Sequence, residues 1–223
     1  MPLAMPLGIV PSYPWDRVYA DTKIVVGGLT DAVFKWVAFQ VANDFTDATN
    51  IWTEEVPIPV VPDVTSYPFT LAHKGFPNRF MLLYDPAMFA SGGEKRWVQG
   101  RCGMQVPGTI TVGYAPSEAA TWNAIIAKIV TEPVDANGYP DIETADQWWI
   151  DQYRDALVYG CLARIFGMPA KTFSNPKLAR DYQTSYISER SKARGDVIKA
   201  NTFNGQRWQF PQGWATVTRK GWN

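Results

Sequence analysis

Apolar positions along this chain follow two different periods, and the switch between them divides it. Between residues 30 and 43, Val33, Val37 and Val41 recur every four residues with Phe34 and Ala38 beside them. That spacing predicts a helix, with Thr30 as N-cap and Asp31 in the first turn where the helix dipole favours a carboxylate. Trp36 falls on a different face, so this helix is expected to be contacted on more than one side. From 51 to 130 the helical period disappears. The runs 51–61, 67–71, 79–84 and 109–114 are short, rich in β-branched and aromatic residues, and bounded by Pro or Gly, which predicts strands. Prolines 57, 59, 62, 68, 77, 86, 107 and 116 confine many of those strands to sheet edges or strand ends. Gly92-Gly93 suits a tight connection. Segment 122–130 fits either period. Its Ile and Val content and the closing Pro133 favour a strand, with Trp122, Ala124, Ile126 and Val130 on one face and Lys128 interrupting it.

The helical period returns after the turn-rich stretch 135–140. Thr144 and Gln147 form a capping-box pattern. Beyond it, Trp149, Tyr153, Ala156 and Gly160, with Leu157, Cys161 and Ile165, trace one apolar stripe. Ala156, Gly160 and Ala163 leave room for another helix backbone to approach. Gly167 is the expected C-terminal stop and Pro169 blocks continuation. Asn175-Pro176 then starts a second helix as N-cap and N1 proline. Ala179, Tyr182, Tyr186, Ala193 and Val197 carry it to about residue 199 as an antiparallel partner. The expected class is α+β, a helical bundle of three main helices (29–50 and 134–200) with an inserted β-rich domain (51–133). An irregular proline-punctuated arm (1–28) precedes it and a tail (201–223) follows.

Composition narrows the chemistry. With 223 residues, 46% apolar and 14% aromatic, the chain can bury a substantial core. Its 21 basic and 21 acidic residues cancel, which argues against a generally basic nucleic-acid binder. The distribution is uneven, however. Residues 171–223 hold ten Lys or Arg against Asp181, Glu189 and Asp196, a net +7, and residues 1–170 therefore carry −7. Cys102 and Cys161 lack any C-x-x-C spacing, so neither a disulfide framework nor a zinc site is indicated. No N-glycosylation sequon occurs, the Pro-broken start does not resemble a signal peptide, and no apolar run is long enough to span a membrane. A soluble chain made in a reducing cytosol is expected.

Candidate catalytic chemistry is sparse. His73 is the single histidine, and its Ala-His-Lys-Gly setting suits a turn far better than a nucleophilic triad. No Gly-rich phosphate loop or metal-ligand spacing is present, and no cofactor is expected. Glu54 and Glu55 are adjacent, so in a strand they face opposite ways and cannot form a glycosidase pair with each other. The expectation is a protein without enzymatic activity. Trp148, Trp149 and Tyr153 are ordinary packing residues by their spacing, and Cys161 a small buried apolar one. In the tail, Phe203, Trp208, Phe210, Trp214 and Trp222 alternate with Arg207, Arg219 and Lys220 among Gly and Pro. Exposed freely, such a segment would aggregate, so it is expected to dock. A pocketed partner protein suits it better than stacking on single-stranded bases, and folding back on its own helices is the structural alternative.

The succession from residue 146 to 197 resembles the head-to-tail adaptor (connector) proteins of tailed bacteriophages, and is similar to the tail tubular protein A group of short-tailed phages. The residues that carry the resemblance are Ala156, Gly160, Leu162, Ala163 and Phe166, then Gly167-Met168-Pro169, Lys171 and Phe173. Asn175, Pro176, Ala179, Tyr182, Tyr186 and Ala193-Arg194 continue it. Phe173 stands where the family usually has Trp, and Ala170 and Thr172 depart from the family turn. The resemblance implies a structural virion protein of the neck. It implies a homo-oligomeric ring, commonly a 12-mer, between the portal protein and the tail nozzle or tail tube protein, with double-stranded DNA passing through its lumen without specific binding. It also implies a helical core, in which Ala156, Gly160, Phe173, Tyr182 and Tyr186, with Trp149 and Tyr153 by their spacing, serve helix–helix packing. The tail residues Phe203, Arg207, Trp208, Phe210, Trp214, Arg219, Lys220 and Trp222 would reach into the portal. A neck completion (stopper) protein, or a carbohydrate-binding module of a tail protein suggested by the ten Trp, are the alternatives.

Overall fold

The computed structural model describes residues 13–84, 102–130, 138–140, 142 and 146–201. Two helices open it, α1 (Pro14–Val25) and α2 (Asp31–Thr49). Six strands follow: β1 (Thr53–Val60), β2 (Ser66–Pro68), β3 (Phe76–Tyr84), β4 (Cys102–Val106), β5 (Thr109–Val112) and β6 (Ala120–Ile129). Three helices close it, α3 (Trp148–Gln152), α4 (Arg154–Phe166) and α5 (Pro176–Asn201). The class is mixed α and β, with two three-stranded antiparallel sheets ordered β1-β6-β3 and β2-β5-β4.

Helix α1 corrects the expectation of an irregular arm over 1–28. Its proline, Pro14, sits in the first turn, where a missing N–H costs nothing, and Asp16 follows it in that turn. Trp15, Val18 and Thr22 then recur at three-four spacing and are buried. Pro2, Pro6 and Pro11 of the same expected arm lie outside the described residues. Helix α2 runs six residues past the expected end at 43, through Thr46 and Thr49. These polar side chains are tolerated on the buried face because each hydroxyl donates back into its own helix, Thr46 to Ala42 O at 2.9 Å and Thr49 to Phe45 O at 2.7 Å. Asn50 ends the helix in the left-handed region at φ 54°.

The expected helix from 144 is two helices, broken at Tyr153, whose φ −111° and ψ 31° lie outside the helical basin. Thr144 lies outside the described residues, and Gln147 directs its amide to Ile142 O at 3.0 Å. Gly167 closes α4 with an ordinary φ of −78°, and Ala170 takes the left-handed turn instead. Helix α5 begins as expected. Asn175 Oδ1 accepts from Lys177 N and Leu178 N, both at 3.2 Å, ahead of Pro176 at N1.

Segment 122–130 is strand, the centre of its sheet. Every described strand proline lies on an edge strand: Pro57 and Pro59 in β1, Pro68 in β2 and Pro77 in β3. Strand β4 has no counterpart in the sequence reading, since Cys102-Gly103-Met104-Gln105 lacks β-branched residues. Two apolar clusters result. One gathers the helices around Trp15, Phe34, Phe45, Trp149 and Tyr186, and reaches Ile51, Trp52 and Val130. The other fills the space between the sheets with Val56, Ile58, Tyr67, Ile110, Trp122 and Ile126.

Candidate functional site

Helix α4 runs between α2 and α5, and the residues expected from the sequence to pack helix on helix lie along or beside that seam. At Gly160 an added Cβ would sit 2.8 Å from Val41 Cγ1 of α2 and 3.0 Å from the Tyr186 ring of α5, so only glycine admits both neighbours. Ala156 is buried beside it. Trp149 stacks on Phe45 with centroids 5.8 Å apart, and Tyr153 tilts against the same ring at 5.7 Å. Tyr182 stacks on Phe166 at 5.8 Å and on Tyr159 at 6.1 Å. Phe173 is half-buried against the same cluster.

A polar group that the sequence reading missed ties the seam. Tyr186 donates its hydroxyl to Asp44 Oδ2 at 2.7 Å, and Arg190 donates to the same oxygen at 2.9 Å. The Arg190 guanidinium also lies over the Tyr186 ring, 5.3 Å from its centroid. Burial, and then the Asp44 carboxylate, push the Tyr186 hydroxyl far above its ordinary pKa, so it stays a donor throughout the neutral range. The sequence signal was the i, i+4 pair Tyr186/Arg190, but its carboxylate partner lies 142 residues away.

A second polar group joins the helices to the sheets. Lys128, 1% exposed, points inward from β6 and pairs with Glu54 of β1 at 2.9 Å and with Asp146 at 3.4 Å. Its ammonium sits 4.5 Å from the Trp52 ring centroid. Trp52 Nε1 donates to Asp146 at 2.7 Å, and the other Glu54 oxygen accepts from Ala72 N at 2.6 Å. Gly75 at φ 113° lies against the same indole, since a Cβ there would come within 2.8 Å of Trp52 Cη2. Glu54 and Glu55 face opposite ways as expected. Glu54 is buried in this joint, while Glu55 is exposed and accepts from Tyr84 and Asn123.

An open cleft of about 420 Å³ lies between α2, α4 and the ends of β3 and β6, lined by Phe39, Asn43, Asp44, Asp47, Asn78 and Arg164 among others. Several of its polar groups are already paired. Arg164 donates to Gln40 at 3.0 Å and Asn78 to Asp47 at 2.7 Å. Among the described residues no group of three His, Cys, Asp or Glu could hold a metal ion, and no helix is long and apolar enough to cross a membrane. His73 is exposed in a bend before β3. Cys161 is fully buried on α4, and burial pushes its thiol pKa well up. The residues expected to dock, Phe203, Arg207, Trp208, Phe210, Trp214, Arg219, Lys220 and Trp222, lie outside the described residues. No family model matches this chain, and no curated protein matches it.

Proposed function

We propose that this chain is a structural, non-enzymatic protein of a phage neck, forming a ring-shaped head-to-tail adaptor between portal and tail and lining the conduit for DNA ejection. In this reading the helices of 29–50 and 134–200, joined by α1, are the ring-forming body, residues 51–133 an inserted β-rich domain, and 201–223 the portal-docking tail. The observation that carries it is the seam at Gly160. Residues 146–197 resemble the adaptor family, and several of the residues that carry the resemblance, Ala156, Gly160, Phe166, Tyr182 and Tyr186, pack where α2, α4 and α5 meet, which supports this reading. The order of elements supports this reading, since the six strands among the described residues lie between α2 and α3.

The physics of the role is consistent with the charge. A conduit should not hold DNA tightly, because neutralised phosphates would retain it, and a formal net charge of zero suits that. The +7 stretch at 171–223 suits an acidic partner surface, leaving −7 for the remainder.

Mass photometry of the chain mixed with a phage portal protein tests the proposal, using full-length protein and a version ending at Thr202. Many copies per portal, lost on truncation, support the adaptor role with the tail as anchor. Binding that survives truncation keeps the role and moves the anchor to the helices. No complex at low or moderate salt rejects it.

A further inference from the structure

Two exposed surfaces of this chain pair apolar side chains with charge of opposite sign. The first is the tip of the β-rich part, made by the loops 61–65 and 113–119. Val61 (52% exposed), Val64 and Tyr114 stand in solvent there beside the exposed Asp63 and Glu118. No Lys, Arg or His occurs between residues 55 and 72 or between 102 and 127, so the loops and the strand ends beside them supply no cation to these carboxylates. The tip is also held in shape. Tyr67, buried beneath it, donates its hydroxyl to Val64 O at 2.6 Å, with Val61 O 3.2 Å away. Asp63 N donates to Pro116 O at 3.0 Å, which ties the two loops together. Little ordering is therefore left to oppose burial of this tip on a partner.

The second surface is one flank of α5, where the exposed Ile187, Ser191, Arg194 and Ile198 recur at three-four spacing. Ile187 and Ile198, 45% and 55% exposed, lie about 17 Å apart along the axis with Arg194 between them. Arg194 has no carboxylate three or four residues to either side. The opposite flank differs, since Lys192 pairs there with Glu189 and Lys199 with Asp196.

We infer that the tip of one copy docks on this flank of α5 in a second copy, with Val61, Val64 and Tyr114 against Ile187 and Ile198 and with Arg194 set between Asp63 and Glu118. Charge selects this occupant. The tip brings two carboxylates and no cation, and the flank brings a guanidinium whose five donors can serve both. Both surfaces stand open within one chain, because the eight residues of β1 carry the tip about 26 Å beyond the helices while α5 packs on α4 and α2. Unless two copies exchange tips reciprocally, a contact between two different surfaces generates a closed ring or an open filament. Closure into a ring rests on the adaptor reading. The pairwise contact rests on the two surfaces alone.

Disulfide trapping tests it in the full-length chain with Cys102→Ser, where Cys161 is fully buried and stays silent. A chain carrying Ser117→Cys at the tip is mixed under mild oxidation with a differently tagged chain carrying Ser191→Cys on the flank. Leu178→Cys, exposed on the opposite flank of α5, replaces Ser191→Cys as the control. The 117–191 link is expected at about tenfold the yield of the 117–178 control, and Arg194→Glu in the flank chain removes that excess, a loss of about 1.4 kcal/mol. Pairing the Arg194→Glu chain with a tip chain that carries Asp63→Asn and Glu118→Arg restores the link, which a merely misfolded chain would not allow. Equal yields, an excess indifferent to Arg194→Glu, or no recovery with the charges reversed overturns the inference. The adaptor reading is judged separately on the portal. Copies on a portal without the 117–191 link reject this contact alone, and the link without portal binding rejects the adaptor reading alone.

Discussion

The seam at Gly160 and the joint at Lys128 both close this molecule, by opposite means. At the seam, shape dominates. A missing side chain lets three helices approach, aromatic rings stack along the contact, and the one ionic group, Asp44 with Arg190, keeps part of its surface in water. At the joint, charge dominates. An ammonium and a carboxylate with side chains 1% and 6% exposed lie between an indole and a second carboxylate. The indole nitrogens sharpen the contrast, since Trp52 Nε1 has Asp146 while the buried Nε1 atoms of Trp15 and Trp149 have no hydrogen-bond partner among the described residues. Each region is therefore vulnerable in its own way. A packed seam loses stability in proportion to misfit, whereas a buried ionic joint fails when one charge loses its partner.

The largest effect is therefore expected at the joint. Glu54→Ala leaves Lys128 with only the half-buried Asp146, and removing one member of such a pair costs about 3–5 kcal/mol in urea unfolding. The double change Glu54→Leu with Lys128→Met should recover most of that loss, because apolar side chains need no counter-ion. A double variant as unstable as the single one would show that Glu54 acts through its bond to Ala72 N instead. Next comes the seam itself. Gly160→Leu drives new atoms into Val41 and Tyr186 and should cost at least about 1–3 kcal/mol, with the loss read by the same unfolding curves. A neutral result would mean that the three helices are not in contact as described.

Smaller effects separate the ties from the packing. Tyr186→Phe keeps the ring and deletes one donor to Asp44, which still has Arg190, so about 1 kcal/mol is expected. The smallest is a pH effect. Burial holds the Cys161 thiol neutral in the folded chain, so its pKa is raised over the unfolded value. Its contribution is fully present below the ordinary thiol pKa and is lost as pH rises beyond it, because the unfolded chain alone releases the proton. The urea midpoint should therefore fall as pH rises above about 9, and less steeply in Cys161→Ala. In the native state, thiol reagents should label Cys102, which is partly exposed, long before Cys161.

Much of the helical architecture was legible from local signals. The Asn175-Pro176 start, the small-residue stripe at Ala156 and Gly160, and the edge prolines each depend on neighbours within a few residues. Other features were hidden because the signal was misleading or distant. Prolines suggested an arm where Pro14 in fact begins α1, and polar Thr46 and Thr49 masked the second half of α2 by bonding within the helix. Lys128 looked like an interruption of a strand face. It belongs to that face, and its partners lie 74 and 18 residues away, a distance no periodicity encodes. Asp44 was equally invisible for the same reason.

The adaptor reading is tested most directly by electron microscopy of portal rings mixed with the full-length chain. One added layer of density is expected on a single face of the portal, with rotational symmetry and many copies of this 25.0 kDa chain. Unchanged portal rings, or copies scattered singly without symmetry, would contradict it.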